Sequence, residues 1–329
     1  MTPDEKALAE QVTRLHPAAI NDLNTLVRIP SVSAEPGHAA DVAACADAVA
    51  EMARAAGADT VDVLAVDGTL LALSMDGSEL WRRQLGPFVG PHGTGTSPII
   101  VEDLVVLANE QEDYKLLARL MGRKEVGPAG ESSLIAVNRM TGETKWTVPR
   151  KTTLASYSTP CVRKSDSGST ELIFTGTSHG ITGIDAATGK INWQLEDVFE
   201  DRCVGSPIVA AGLVIAAYGH GTAGNLCVAA RPGSRLRGRE PSIAYEIKKS
   251  VPLVPTPLAR DGRLYLWKDD GVVTCLRATT GEKIWRQRAG GAFYGSPVCV
   301  DGRLYCIDRT GEVVVLAAAD EFKLIARVP

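Results

Sequence analysis

At 329 residues, 45% of them apolar, the chain has enough material for one large all-β domain or two ordinary domains. A net charge of −4 gives no footing for nucleic acid, and no apolar run approaches the ~18–20 residues of a membrane-spanning helix. Charge is uneven, with 10 acidic and 4 basic residues in 1–66 against 29 and 31 in 67–329, so a boundary is expected there.

In chain order, residues 4–28 read as an amphipathic helix through Leu8, Val12, Leu15, Ile20, Leu23, Leu26 and Val27, with Pro17 placed to split it. Ile29-Pro30-Ser31-Val32-Ser33 breaks the pattern, 39–56 is a second, Ala-rich helix, Gly57 ends it, and 60–66 alternates like a strand. The acidic start lacks the basic end and apolar stretch of a secretion signal, so a cytoplasmic location is expected from the sequence as written. Leu26 to Ser33, the Ala-rich helix and the Ala56-Gly57-Ala58 strand entry resemble the N-terminus of the aminoacylase/dipeptidase family of zinc peptidases. That resemblance would imply metal ligands, but the family's later G-H-x-D-V segment is missing. His38 lies in a loop where the family has no ligand. A metallopeptidase fusion, inactive as written, is the functional reading this segment allows, and no metal is expected.

From residue 67 a repeat takes over. Gly183-Ile184-Asp185-Ala186-Ala187-Thr188-Gly189 leads to Trp193, Ala136 to Gly142 leads to Trp146, and Cys275 to Gly281 leads to Trp285. A shorter copy runs from Ala72 to Trp81. Apolar alternation into a Thr-Gly turn and out to a tryptophan reads as a hairpin, with Asp185 or Asn138 bonding the turn. A large indole cannot hide in one thin sheet, so it is expected to pack on the neighbouring repeat. Each full repeat opens with Ser/Thr-Pro, at Ser97, Thr159, Ser206, Thr256 and Ser296, spaced 62, 47, 50 and 40 residues apart. The shorter spacings suit a four-stranded propeller blade. In the repeat from Ser206, Arg231-Pro232-Gly233 replaces Thr-Gly and Tyr245 stands for Trp; the last repeat ends on Leu324. The tryptophans are read as structural repeat positions. The seven cysteines, without C-x-x-C or an adjacent pair, are read as small buried side chains.

Residues 68–329 resemble the pyrroloquinoline-quinone-type (PQQ-like) propeller repeat of quinone alcohol dehydrogenases, of the non-enzymatic outer-membrane assembly lipoprotein and of bacterial single-domain repeat proteins. The expectation is an all-β, PQQ-like β-propeller over 67–329, incomplete at about five to six four-stranded blades, behind a small helical segment at 1–66. Residues 69–84 supply only two strands of the first blade. Either strand 60–66 pairs with 69–74 or, the preferred reading, the chain is a truncated or fused gene product. The dehydrogenase branch would imply the quinone, Ca²⁺, a tryptophan floor and a Cys-Cys ring. No adjacent cysteines exist, so neither PQQ nor calcium is expected. Family members are often periplasmic or exported.

In such a propeller, loops between blades and loops between second and third strands share one face. This gathers His92, His179, His220, Asp113, Tyr157, Arg202, Asp269, Asp308 and Arg309 as ligand-rim candidates, against the alternative that these are polar turn residues. Residues 113–125 form an insertion with a helical stripe of Tyr114, Leu117 and Met121, read as a packed surface helix or a lid. Arg231, Arg235, Arg237 and Arg239 form a basic loop on the opposite face, solvated or facing an acidic partner. No catalytic residue is assigned. The favoured function is a non-enzymatic binding or scaffolding propeller for a protein partner or small ligand, with a remnant quinone-dependent oxidoreductase as the alternative.

Overall fold

A computed structural model of the chain describes residues 3–31, 36–57, 68–86, 95–112, 131–152, 154–220 and 224–329. The chain divides into two compact units, the smaller comprising residues 1–67 with the short pieces 73–78 and 91–93. In the smaller unit, α1 (Pro3–Val27) runs unbroken through Pro17, where a split was expected. The residues flanking that proline are solvent-exposed, so its ring and the adjoining backbone meet water rather than packed side chains and the helix continues past it. A short 3₁₀ turn (Pro36–His38) leads into α2 (Ala39–Ala55), which packs on α1 and stops at Gly57, where φ is +97°. The expected strand 60–66 lies outside the described residues. No helix among the described residues is long and apolar enough to cross a membrane.

β1 (Thr69–Leu73) and β2 (Glu79–Gln84) form a two-stranded sheet, in the larger unit but for Leu73. Five four-stranded sheets follow. The first holds β3 (Ile99–Val101), β4 (Leu104–Asn109), β5 (Ser133–Asn138) and β6 (Thr144–Pro149). The second holds β7 (Cys161–Lys164), β8 (Thr170–Gly176), β9 (Gly180–Asp185) and β10 (Ile191–Leu195). The third holds β11 (Ile208–Ala210), β12 (Leu213–His220), β13 (Gly224–Arg231) and β14 (Ser242–Ile247). The fourth holds β15 (Leu258–Arg260), β16 (Arg263–Trp267), β17 (Val272–Arg277) and β18 (Lys283–Arg288). The fifth holds β19 (Val298–Val300), β20 (Arg303–Ile307), β21 (Val313–Ala317) and β22 (Leu324–Val328). Each sheet is an antiparallel meander in chain order, and each first strand begins directly after the proline of its Ser/Thr-Pro pair.

The first strands of the second to fifth sheets lie side by side, and the core consists of seams between sheets. Strand alternation explains this: Leu172 and Phe174 join Val106, Leu134 and Trp146 on one side of the second sheet. Ile173 joins Val214 and Ala216 on the other. Both faces of an inner sheet are therefore buried, which is the architecture of a β-propeller.

Each seam carries an aromatic side chain at one repeated position. Trp81, Trp146, Trp193, Tyr245 and Trp285 all follow a one-residue bulge or lie at the matching place in β2. The hydroxyl of Tyr245 and the indoles of Trp81, Trp146 and Trp285 donate to carbonyls of the next repeat: Ala278, Arg139, Ala186 and Ala319. The turns that receive them are built as expected. Asp185 accepts the Thr188 amide at 3.0 Å, Asn138 accepts those of Met140 and Thr141, and Gly189 sits at φ +72°. A Cβ at Gly189 would lie 2.7 Å from the Trp146 ring, so glycine is required by both conformation and space. The same is true of Gly281 beneath Tyr245.

Two expectations need correction. The last repeat, expected to end on Leu324, runs through β22 to Val328, and by register its residue matching Trp285 is Ala326, its turn being longer by one residue. Trp267 is not at a repeat position either; it is fully buried on β16, edge-on to Phe293 at 5.3 Å. All seven cysteines carry free thiols, four of them buried.

Candidate functional site: the loop-bearing rim

Hairpins between second and third strands interlock with the connections between sheets. His179 Nε2 accepts the Lys151 amide at 3.0 Å. The Asp269 carboxylate takes the amides of Leu253 (2.7 Å) and Val254 (3.1 Å), while its carbonyl takes that of Phe293. The Arg309 amide donates to Ala292 O, and Asp308 Oδ1 takes the amides of Thr310 and Glu312. Burial, with the nearby Arg150 guanidinium, holds His179 below its usual pKa and keeps it a neutral acceptor. The Asp308 carboxyl is held low by its hydrogen bonds to Thr310 and neighbouring amides.

The described contacts join the rim candidates in three groups. Tyr157 and Arg202 form one: Arg202 Nη1 donates to Tyr157 Oη at 3.3 Å, and its guanidinium lies 5.7 Å from the ring centroid. Asp269, Asp308 and Arg309 form a second through the 292–293 backbone. His179 stands with Lys151 in a third. His220 ends β12, with its side chain outside the described residues. His92, Asp113 and the 113–125 insertion lie outside them altogether.

Sequence reasoning missed the charged groups beneath the rim. Glu110, Gln111 and Glu112 follow β4 directly and are all buried. Glu110 lies 3.7 Å from Arg150 and accepts the Ser156 amide at 3.0 Å; Arg150 donates to Thr182 Oγ1. Glu112, with 1% exposure, faces Arg202 at 3.1 Å. Burial raises both carboxyls above their usual range, against the pull of Arg150 on Glu110 and of Arg202 on Glu112. The signal in the chain was slight: three polar residues in place of a turn at the end of an apolar strand. The cluster links the 110–112, 154–158 and 201–203 segments, helped by the Tyr157 amide on Cys203 O.

At the fourth connection and the β20–β21 hairpin the rim turns outward. Tyr294 is 56% exposed, and the exposed Arg309 guanidinium stacks 4.6 Å from its ring centroid. Ile307, 52% exposed, lies against Gly295 beside them. A tyrosine, an arginine and an aliphatic side chain held by backbone clamps form a surface of the composition that dominates protein interfaces. Among the described residues no group of His, Cys, Asp and Glu could hold a metal ion.

A family described as outer membrane protein assembly factor BamB matches residues 42–251 and 242–321. Among solved structures, BamB from Moraxella catarrhalis aligns with a TM-score of 0.50 and 15% identity over 80% of this chain and 70% of its own, a likeness of fold. The quinohemoprotein alcohol dehydrogenase ADHIIG from Pseudomonas putida HK5 aligns with a TM-score of 0.48 and 17% identity over 77% of this chain and 52% of that one. No curated protein matches the chain. The peptidase resemblance of residues 1–66 finds no support in these matches, and the family match itself begins inside that segment.

Proposed function

We propose that this chain, which belongs to the family of the outer membrane protein assembly factor BamB, is a non-enzymatic binding module whose rim docks a protein partner. The observation that carries this reading is the exposed Tyr294–Arg309 stack on a clamped loop. Rigid, pre-ordered aromatic and guanidinium groups lose little entropy on binding and serve as interface anchors. The family's name concerns assembly at the outer membrane, so an envelope protein is the first partner to try, and export of this chain goes with that reading.

The oxidoreductase alternative has less support. The indoles of Trp81, Trp146, Trp193, Trp267 and Trp285 are buried in seams, leaving no ring face open for a quinone, and Asp269 and Asp308 already hold backbone amides.

A photo-crosslinking residue at position 294, compared with one at position 188 on a Thr-Gly turn, tests the proposal in cells of the source organism. A discrete adduct at 294, lost with Arg309→Glu and absent at 188, is expected. No adduct at 294, or equal adducts at both, would overturn it.

A further inference from the structure

The repeat breaks its own rule at one place, and a cleft opens there. Between β13 and β14 the chain runs from Pro232 to Pro241, whereas the corresponding turns of the first, second and fourth sheets span 139–143, 186–190 and 278–282. Pro232 stands where Ala186 and Ala278 receive an aromatic donor. The Trp193 indole instead turns back to its own sheet and donates to Glu171 Oε2 at 3.0 Å. By register the positions equivalent to Glu171 are Leu104, Leu213, Arg263 and Arg303, so a buried carboxylate is peculiar to this seam. The resulting cleft, about 470 Å³ and open to solvent on one side, lies between the β7–β8 hairpin and the 233–236 loop.

Its floor is a fixed polar network. Glu171, 1% exposed, is met by Arg163 at 2.9 Å, by Trp193 and by the Asn192 amide nitrogen at 2.8 Å. With its nitrogen held there, the Asn192 carbonyl oxygen is left for the cleft. A buried ion pair contributes little net stability, so its place under a cleft points to positioning. One wall carries the hydroxyls of Ser165, Ser167 and Ser169, within 2.8–3.2 Å of one another.

Every charged side chain lining the cleft already has a protein partner. Asp166 holds Arg237 and Arg239, Glu171 holds Arg163, Asp185 holds Thr188, and Arg235 donates to Ile191 O. The carboxylates are thus committed and a cation would have to break one of their contacts, while the exposed Arg235 guanidinium keeps further donors at the mouth of the cleft. The remaining capacity is that of hydroxyl groups, an amide carbonyl and guanidinium N–H groups, mixed donors and acceptors of the kind a polyol takes. We propose that this cleft binds a neutral polyhydroxylated ligand of sugar size, seated on Asn192 and the serine hydroxyls. The site lies on the Thr-Gly-turn face and does not depend on the rim reading.

Trp193 under the floor supplies a local reporter. Maltose, trehalose and N,N′-diacetylchitobiose, with glucuronate and glucosamine as charged comparators, are titrated into the full chain while the Trp193 indole resonance is followed by NMR. At least one neutral sugar should shift it saturably in the millimolar range. Asn192→Leu and Ser167→Val should each weaken binding about tenfold, with the other indole resonances unmoved as a check of folding. No saturable shift with any neutral sugar, binding indifferent to both substitutions, or tighter binding of a charged comparator would each overturn the proposal.

Discussion

The indole of Trp146 donates to the carbonyl of Ala186 at 2.8 Å and lies across Gly189, so that the last strand of one sheet is locked onto the turn of the next. This joint makes the repeats one body, and it sets the first prediction. Gly189→Ala forces a side chain into a left-handed backbone and against the ring, and should cost about 2–4 kcal/mol. Trp146→Ala should cost about 3–5 kcal/mol, and Trp146→Phe less, since a phenyl ring keeps part of the packing while the hydrogen bond and the rest of the indole go. Urea unfolding of the three variants measures these; a neutral Gly189→Ala would show that the joint is slack.

A second tie runs along the strand starts. The Thr159 amide donates to Ser206 Oγ at 3.0 Å, the Ser206 amide to Thr256 Oγ1 at 3.0 Å, and the Thr256 amide to Ser296 Oγ at 2.9 Å. Ser206→Ala leaves the half-buried Thr159 amide without an acceptor and should cost about 1–2 kcal/mol, whereas Ser206→Thr should be near neutral. Equal loss in both would contradict this role for the hydroxyl.

Much of this was legible in the chain. Turn bonding by Asp185 and Asn138 is local, within three residues, and follows from residue type. The indole seams followed from size alone: Trp146 has no room in its own sheet. What could not be read depends on distant partners. Glu110 meets Ser156 across 46 residues, and Glu112 meets Arg202 across still more, so no spacing announced the cluster. Trp267 broke the repeat because it fills the seam from a second strand, and Trp193 because its indole donates to Glu171 while the Pro232 carbonyl at the equivalent position takes Arg239.

The buried pair beneath the rim should behave as a unit. Glu110→Gln or Arg150→Met alone leaves a buried charge and should cost about 3–5 kcal/mol, while the double variant should lose less than the sum. Additive losses in a double-mutant cycle would show that the two side chains act separately.

The same burial gives a pH signature. Glu112 holds its proton more tightly in the folded state than at the ordinary glutamate value of 4.5, because burial disfavours its charge. As pH falls from neutral through the raised folded value, the folded state takes up more protons than the unfolded chain, and this group's penalty disappears. Glu112→Gln resembles the protonated form. Its difference in urea midpoint from wild type should therefore shrink between pH 7 and pH ~5, a window that closes at the unfolded value. A constant difference would mean that Glu112 does not titrate there.

Burial also pushes the Cys227 and Cys306 thiols up to about 12, so neither supplies thiolate in the native state. Alkylation at neutral pH should spare both until the chain is unfolded, as read by peptide mass; rapid native labelling of Cys227 would place it outside the seam.

The central claim is that the tryptophans join repeats and take no part in chemistry. Indole N–H exchange in deuterated buffer, followed by NMR with and without added pyrroloquinoline quinone and Ca²⁺, tests it most directly. The Trp81, Trp146 and Trp285 resonances are predicted to exchange only through global unfolding and to stay unshifted by the quinone. Rapid exchange at these indoles, or a saturable quinone-induced shift of any of them, would contradict the account.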